Sequence, residues 1–98
     1  MEMNQYLLLI QDNAKAQSSE AEWSVFFAAA RASGTFVGGS AVGDRELFGD
    51  ADSAKPTDHV VGYMRFDTND KSTVTELLKI HPAVLNGGSV ELCELPKS

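Results

Sequence analysis

The hydrophobic period of this chain alternates between two residues and about 3.6 residues, in a fixed order, within 98 residues. "QYLLLIQ" (5–11) reads as a strand, with Tyr6, Leu8 and Ile10 pointing one way and Leu7 and Leu9 the other. Both faces are apolar, which predicts that both are covered. "QDNAKAQS" follows as a loop. "SSEAEWSVFFAAARASG" (18–34) reads as a helix. Ser19 and Glu22 have capping-box spacing, and Trp23, Phe26, Phe27 and Ala30 form one apolar stripe. Arg31 falls in the last turn, and Gly34 is free to take the left-handed conformation that stops a helix.

The second half repeats the alternation. "TFVGGSAV" (35–42) is a strand weakened by Gly38 and Gly39, and 43–58 is a long loop rich in Gly, Asp and Ser. "HVVGYMRFD" (59–67) is a strand with Val60, Met64 and Phe66 on one face and His59, Val61, Tyr63 and Arg65 on the other. "TNDKSTVTELLKIH" (68–81) reads as a helix capped by Asp70, with Val74, Leu77, Leu78 and His81 as its stripe and Pro82 as its end. Gly87 and Gly88 turn the chain into "SVELCEL" (89–95), where Val90 and Leu92 face one way and Glu91, Cys93 and Leu95 the other.

The order β-α-β-β-α-β, over a single domain 1–98, is that of the ferredoxin-like α+β fold. It predicts a four-stranded antiparallel sheet with two helices on one face. The other face then needs a cover, and a second copy of the same sheet is the simplest one, giving a homodimer with a barrel-like interior.

The totals exclude several functions. The net charge is −6 and no block of Lys and Arg exists, which argues against nucleic acid and against anionic lipid. Tyr6 to Ile10 is too short for a membrane span and lacks the flanks of a signal peptide. Cys93 is the only cysteine, so no disulfide forms within the chain, and a reduced, cytoplasmic setting fits. His59, His81 and Cys93 lack the close spacing of zinc ligands, so no metal is expected. No phosphate-cradling glycine loop and no G-x-S-x-G elbow occurs, and no cofactor is expected.

Three segments, "YLLLI", "EWSVFFAAARASGTFVGG" and "HPAVLNGGSVELCEL", resemble in order and spacing the YCII-related family, in its DGPF-domain branch. The resemblance implies a dimeric α/β barrel. Two departures bear on chemistry. "SAKPTDHVVGY" stands where that branch carries Asp-Gly-Pro-Phe. YCII-like enzymes also resemble one another in a histidine early in the first helix, paired with an aspartate after the second strand. Trp23 stands at or near that histidine here, while Asp44 stands near the aspartate, so the dyad is incomplete.

Two histidines remain as candidates. His81 reads either as a general base or as a structural residue at a helix end, its imidazolium suited to the negative end of the dipole. His59, Tyr63 and Arg65 share a strand face able to bind an acidic or phenolic ligand, with Arg65 as the anion fork, Tyr63 as donor and His59 as base. The plainer reading makes them strand-end and interface residues, with Arg65 paired to Glu91 across the dimer. Trp23 reads either as a flat pocket wall or, more plainly, as core, Asp44, Arg45 and Glu46 as solvated, and Cys93 as buried and inert. The expected function is that of a small-molecule binding or accessory protein. The alternative is a cofactor-independent enzyme of lyase or monooxygenase type, acting on a small, aromatic metabolite in the cleft between subunits.

Overall fold

In a computed structural model, which describes residues 3–97, the elements are β1 (Asn4–Gln11), α1 (Glu20–Ala32), β2 (Phe36–Ala41), β3 (Val60–Thr68), α2 (Lys71–Leu78), α3 (Pro82–Leu85) and β4 (Val90–Leu95). The sheet order is β2-β3-β1-β4, with every neighbouring pair antiparallel. The protein is therefore α+β, and its order is compatible with the ferredoxin-like arrangement: β3 lies between β1 and β2, and β1 between β3 and β4. Among the described residues no helix is long and apolar enough to cross a membrane.

The core lies on one side of the sheet. Tyr6, Leu8, Met64 and Phe66 rise from β1 and β3 and meet Phe26 and Ala30 of α1 and Val74 and Leu77 of α2. The helices start where the sequence places their caps. The Glu22 N–H donates to Ser19 Oγ at 3.1 Å, and the Ser19 N–H donates to Glu22 Oε1 at 2.8 Å, completing the capping box. Gly34, at φ +74°, turns the chain out of α1. The carboxylate of Asp70 accepts from the Ser72 N–H at 3.0 Å.

Two expectations need correction. The helix expected over 68–81 ends at Leu78, and a third helix, α3, follows it. Pro82 has no N–H and cannot continue α2, but its fixed φ suits the first position of a new helix. The end of α2 tightens into three-residue bonds, including Ile80 N–H to Leu77 O at 3.1 Å and His81 N–H to Leu78 O at 3.3 Å. His59 does not begin β3; it sits in the exposed turn before Val60. Among the described residues the helices pack on one face of the sheet, and Leu7 and Leu9 of β1 are half-buried on the other. The fold is thin on that account, measuring 43 × 39 × 17 Å.

The pairing of β2 with β3 slips between Phe36 and Gly38, so that Phe36 faces Phe66, Gly38 faces Arg65 and Gly39 faces Met64. At Gly39 a Cβ would fall 2.3 Å from the carbonyl oxygen of Tyr63 and 3.0 Å from Met64 Cα, both of them backbone atoms. Gly39→Ala is therefore expected to destabilise the fold by about 1–3 kcal/mol in urea unfolding, the usual cost of overpacking. Gly43→Ala, where a Cβ meets open space, is expected to stay within about 0.5 kcal/mol.

Candidate functional site

A pocket of about 340 Å³ lies on the helix side of the sheet, near the ends of β2 and β3. Trp23 and Phe27 of α1 form one wall, one turn apart, with ring centres 5.6 Å apart and planes 26° from parallel. Phe36 closes a side, its ring 5.9 Å from that of Phe27. Ile10 and Met64 lie along the sheet, where Gly39, Ala41 and Gly62 present little or no side chain. The stripe expected on α1 is therefore split. Phe26 and Ala30 are fully buried, whereas Trp23 and Phe27 are half-buried and wall the pocket. The sequence carried two signals for it: aromatic residues one turn apart beside those the core consumed, and paired glycines in a strand, which mark a close approach.

The residues singled out by sequence lie elsewhere, apart from Trp23 and Tyr63, which belong to the pocket lining. Tyr63 and Arg65 sit on the sheet face that looks away from the helices. Across that face the rows run Ser40–Tyr63–Leu9–Glu91 and Gly38–Arg65–Leu7–Cys93. Glu91 is thus on the same face as Arg65 but two strands away and in the next row, about 12 Å between backbones, and no ion pair joins them within the chain. The Arg65 Nε and the Asp67 Oδ1 are buried there without a partner. Cys93 is half-buried on this face. Asp44 and His59 are exposed at opposite ends of the connection between β2 and β3. Arg45 ties that connection at its base, donating to the carbonyls of Gly43, Thr57 and Val60. Among the described residues no three His, Cys, Asp or Glu side chains gather as a metal site.

His81 is fully buried and lies outside the pocket lining. Its Nδ1 accepts the Ala83 N–H at 3.1 Å and so caps α3, which places the proton of the neutral ring on Nε2. The ring packs 4.8 Å from Phe26 and 5.2 Å from Trp23. Nε2 has no polar partner. Burial among aromatic rings holds its pKa down, from 6.5 to about 4. The expectation of an imidazolium stabilising the end of α2 is thus overturned: the ring is neutral, accepts a hydrogen bond, and begins the next helix. Asn86 completes this corner. Its Nδ2 donates to Pro82 O at 2.7 Å and to Glu22 Oε1 at 3.1 Å, joining α3 to the first turn of α1.

No protein-family model matches the chain, and no curated protein matches it.

The buried neutral imidazole makes stability depend on pH with a definite sign. The unfolded chain takes up the proton near 6.5 and the folded one only near 4, so the contribution is complete above 6.5 and is lost as pH falls to 4. The expected loss over that window is about 3 kcal/mol, measurable by urea unfolding at stepped pH. His81→Asn retains a capping acceptor and should remove the slope, at a cost of about 1–3 kcal/mol at pH 7 for the altered buried site. The His81 ring signals should remain those of the neutral form at pH 5 by NMR.

Proposed function

We propose that this protein binds a small organic molecule in the pocket under α1, has no catalysis of its own, and works as a homodimer through its open sheet face. The observation that carries the binding reading is the pocket's composition. It is walled by aromatic and aliphatic side chains, and Tyr63 is the one titratable residue in its lining. An acid–base mechanism needs a group within hydrogen-bond reach of the reacting atom. The enzyme reading would give that work to His59 with Tyr63 and Arg65 in a cleft between subunits. His59 stands in the turn before β3, off the face that Tyr63 and Arg65 share.

The dimer reading rests on the open face. Leu7, Leu9, Val61, Tyr63 and Cys93 are partly exposed there, around the partnerless Arg65 Nε. A buried Nε–H without an acceptor is costly, and a carboxylate supplied by a second copy relieves it. Glu91, on the same face but out of reach within the chain, gives a two-fold interface its complementary charge. The resemblance to the YCII-related family, in which subunits form dimeric α/β barrels, points the same way.

Two measurements test this reading. Light scattering at micromolar concentration should give a dimer, with an interface above roughly 1,000 Å². Arg65→Glu should shift it to monomer, and the combined R65E/E91R exchange should restore it. A wild-type monomer would sink the dimer. For the ligand, bicyclic aromatic compounds should shift the indole N–H signal of Trp23, the only tryptophan, in ¹⁵N NMR titrations. Ala41→Phe fills the pocket from an exposed strand position and should weaken that binding at least tenfold. Absence of a shift with every compound would remove the small-molecule reading.

A further inference from the structure

The small-molecule reading leaves open which chemical class the pocket accepts, and the walls constrain this. Trp23 and Phe27 present two nearly parallel rings, and Phe36 adds a third tilted by 54° to Phe27. Such surfaces reward a flat, polarisable ring system over a saturated one of equal size. The volume of about 340 Å³ is at the small end of ligand pockets, which run from about 300 to 1,000 Å³.

Charge is handled on the other side of the wall. Glu20 and Arg31 line an outer groove along α1 that shares Trp23 and Phe27 with the pocket, and neither reaches the pocket lining. The guanidinium of Arg31 lies 5.4 Å from the centre of the Phe27 ring, an arrangement that occupies the cation with that ring. At the strand edge of the pocket, the Ser40 hydroxyl is already donated to the Ala41 carbonyl at 2.8 Å. The lining holds no Lys, Arg, His, Asp or Glu. An ionised group entering there would lose water and gain no counter-ion, in a chain of net charge −6 that repels anions at longer range.

Resting on the small-molecule reading, we infer that the pocket under α1 selects an uncharged, flat aromatic ligand and discriminates against the ionised carboxylate of the same skeleton. The test uses three probes of one size at pH 7: 2-naphthol, 2-naphthoate and decahydro-2-naphthol, each titrated into the ¹⁵N-labelled full chain. The expected result is a shift of the Trp23 indole signal with a Kd for 2-naphthol at least tenfold below that for 2-naphthoate and at least threefold below that for the saturated alcohol. Equal binding of naphthol and naphthoate would overturn the charge selection and leave the small-molecule reading standing. Equal binding of the saturated alcohol would overturn the aromatic selection in the same way. Shifts centred on Leu7, Leu9 and Cys93 would place the ligand on the open sheet face and overturn the site itself. Silence from all three probes, with Ala41→Phe indistinguishable from wild type, would remove the small-molecule reading with it.

Discussion

The pairing of β1 with β3 is the constraint on which the rest of this structure depends. Tyr6 opposes Phe66, Leu8 opposes Met64 and Ile10 opposes Gly62, so the apolar residues of the two central strands fall on one side together. A slip of one residue would send the apolar set of one strand to the opposite face from that of the other. With this register held, α1 and α2 have a continuous apolar floor, and Phe26, Ala30, Val74 and Leu77 can all be buried on it. The same register sends Leu7 and Leu9 to the opposite face, where no element of the chain covers them.

The pocket follows from a mismatch in side-chain size above that floor. Over the centre of the sheet, Phe26 meets Leu8 and Phe66 and space is filled. Toward the outer ends of β2 and β3 the sheet offers Gly39, Ala41 and Gly62, while α1 still presents the large rings of Trp23 and Phe27. Large residues on the helix hold it away, and small residues on the strands do not rise to meet it. Gly39 cannot be enlarged without moving backbone, because its missing side chain is where β3 passes. The void is thus a consequence of strand pairing as much as of helix position. His81 supports the same wall from behind: its neutral ring packs against Trp23 while its Nδ1 holds the first turn of α3.

Much of the fold was legible because local rules and long-range packing agree. Ser19, Glu22, Gly34 and Asp70 announce helix ends through hydrogen bonds and backbone angles that involve only near neighbours in sequence. Alternation fixed which residues of β1, β3 and β4 share a face. His81 was misread because the same features, a stripe position and a following proline, fit both a helix end and a helix beginning. Only burial by α1, far away in sequence, decides that the ring stays uncharged. The pocket was hidden for a related reason. Trp23 and Phe27 satisfy the spacing of a core stripe, and nothing local to α1 reveals that the strand beneath them carries glycine.

Parity along β3 separates the two surfaces of this protein. Gly62, Met64 and Phe66 look toward the helices, and Met64 and Gly62 belong to the pocket. Val61, Tyr63, Arg65 and Asp67 look toward the open face, where the one guanidinium of the strand lies. Alternate residues of the strand therefore serve different faces, one apolar and walled by aromatic rings and the other mixed and open, and Val61 and Tyr63 at the start of the strand also border the pocket. The walls of the pocket are already committed to the core on one side and to the sheet on the other. The fold alone does not dictate a reaction. What this chain adds to it is a divided strand, with Arg65 and Asp67 turned away from the apolar pocket under α1.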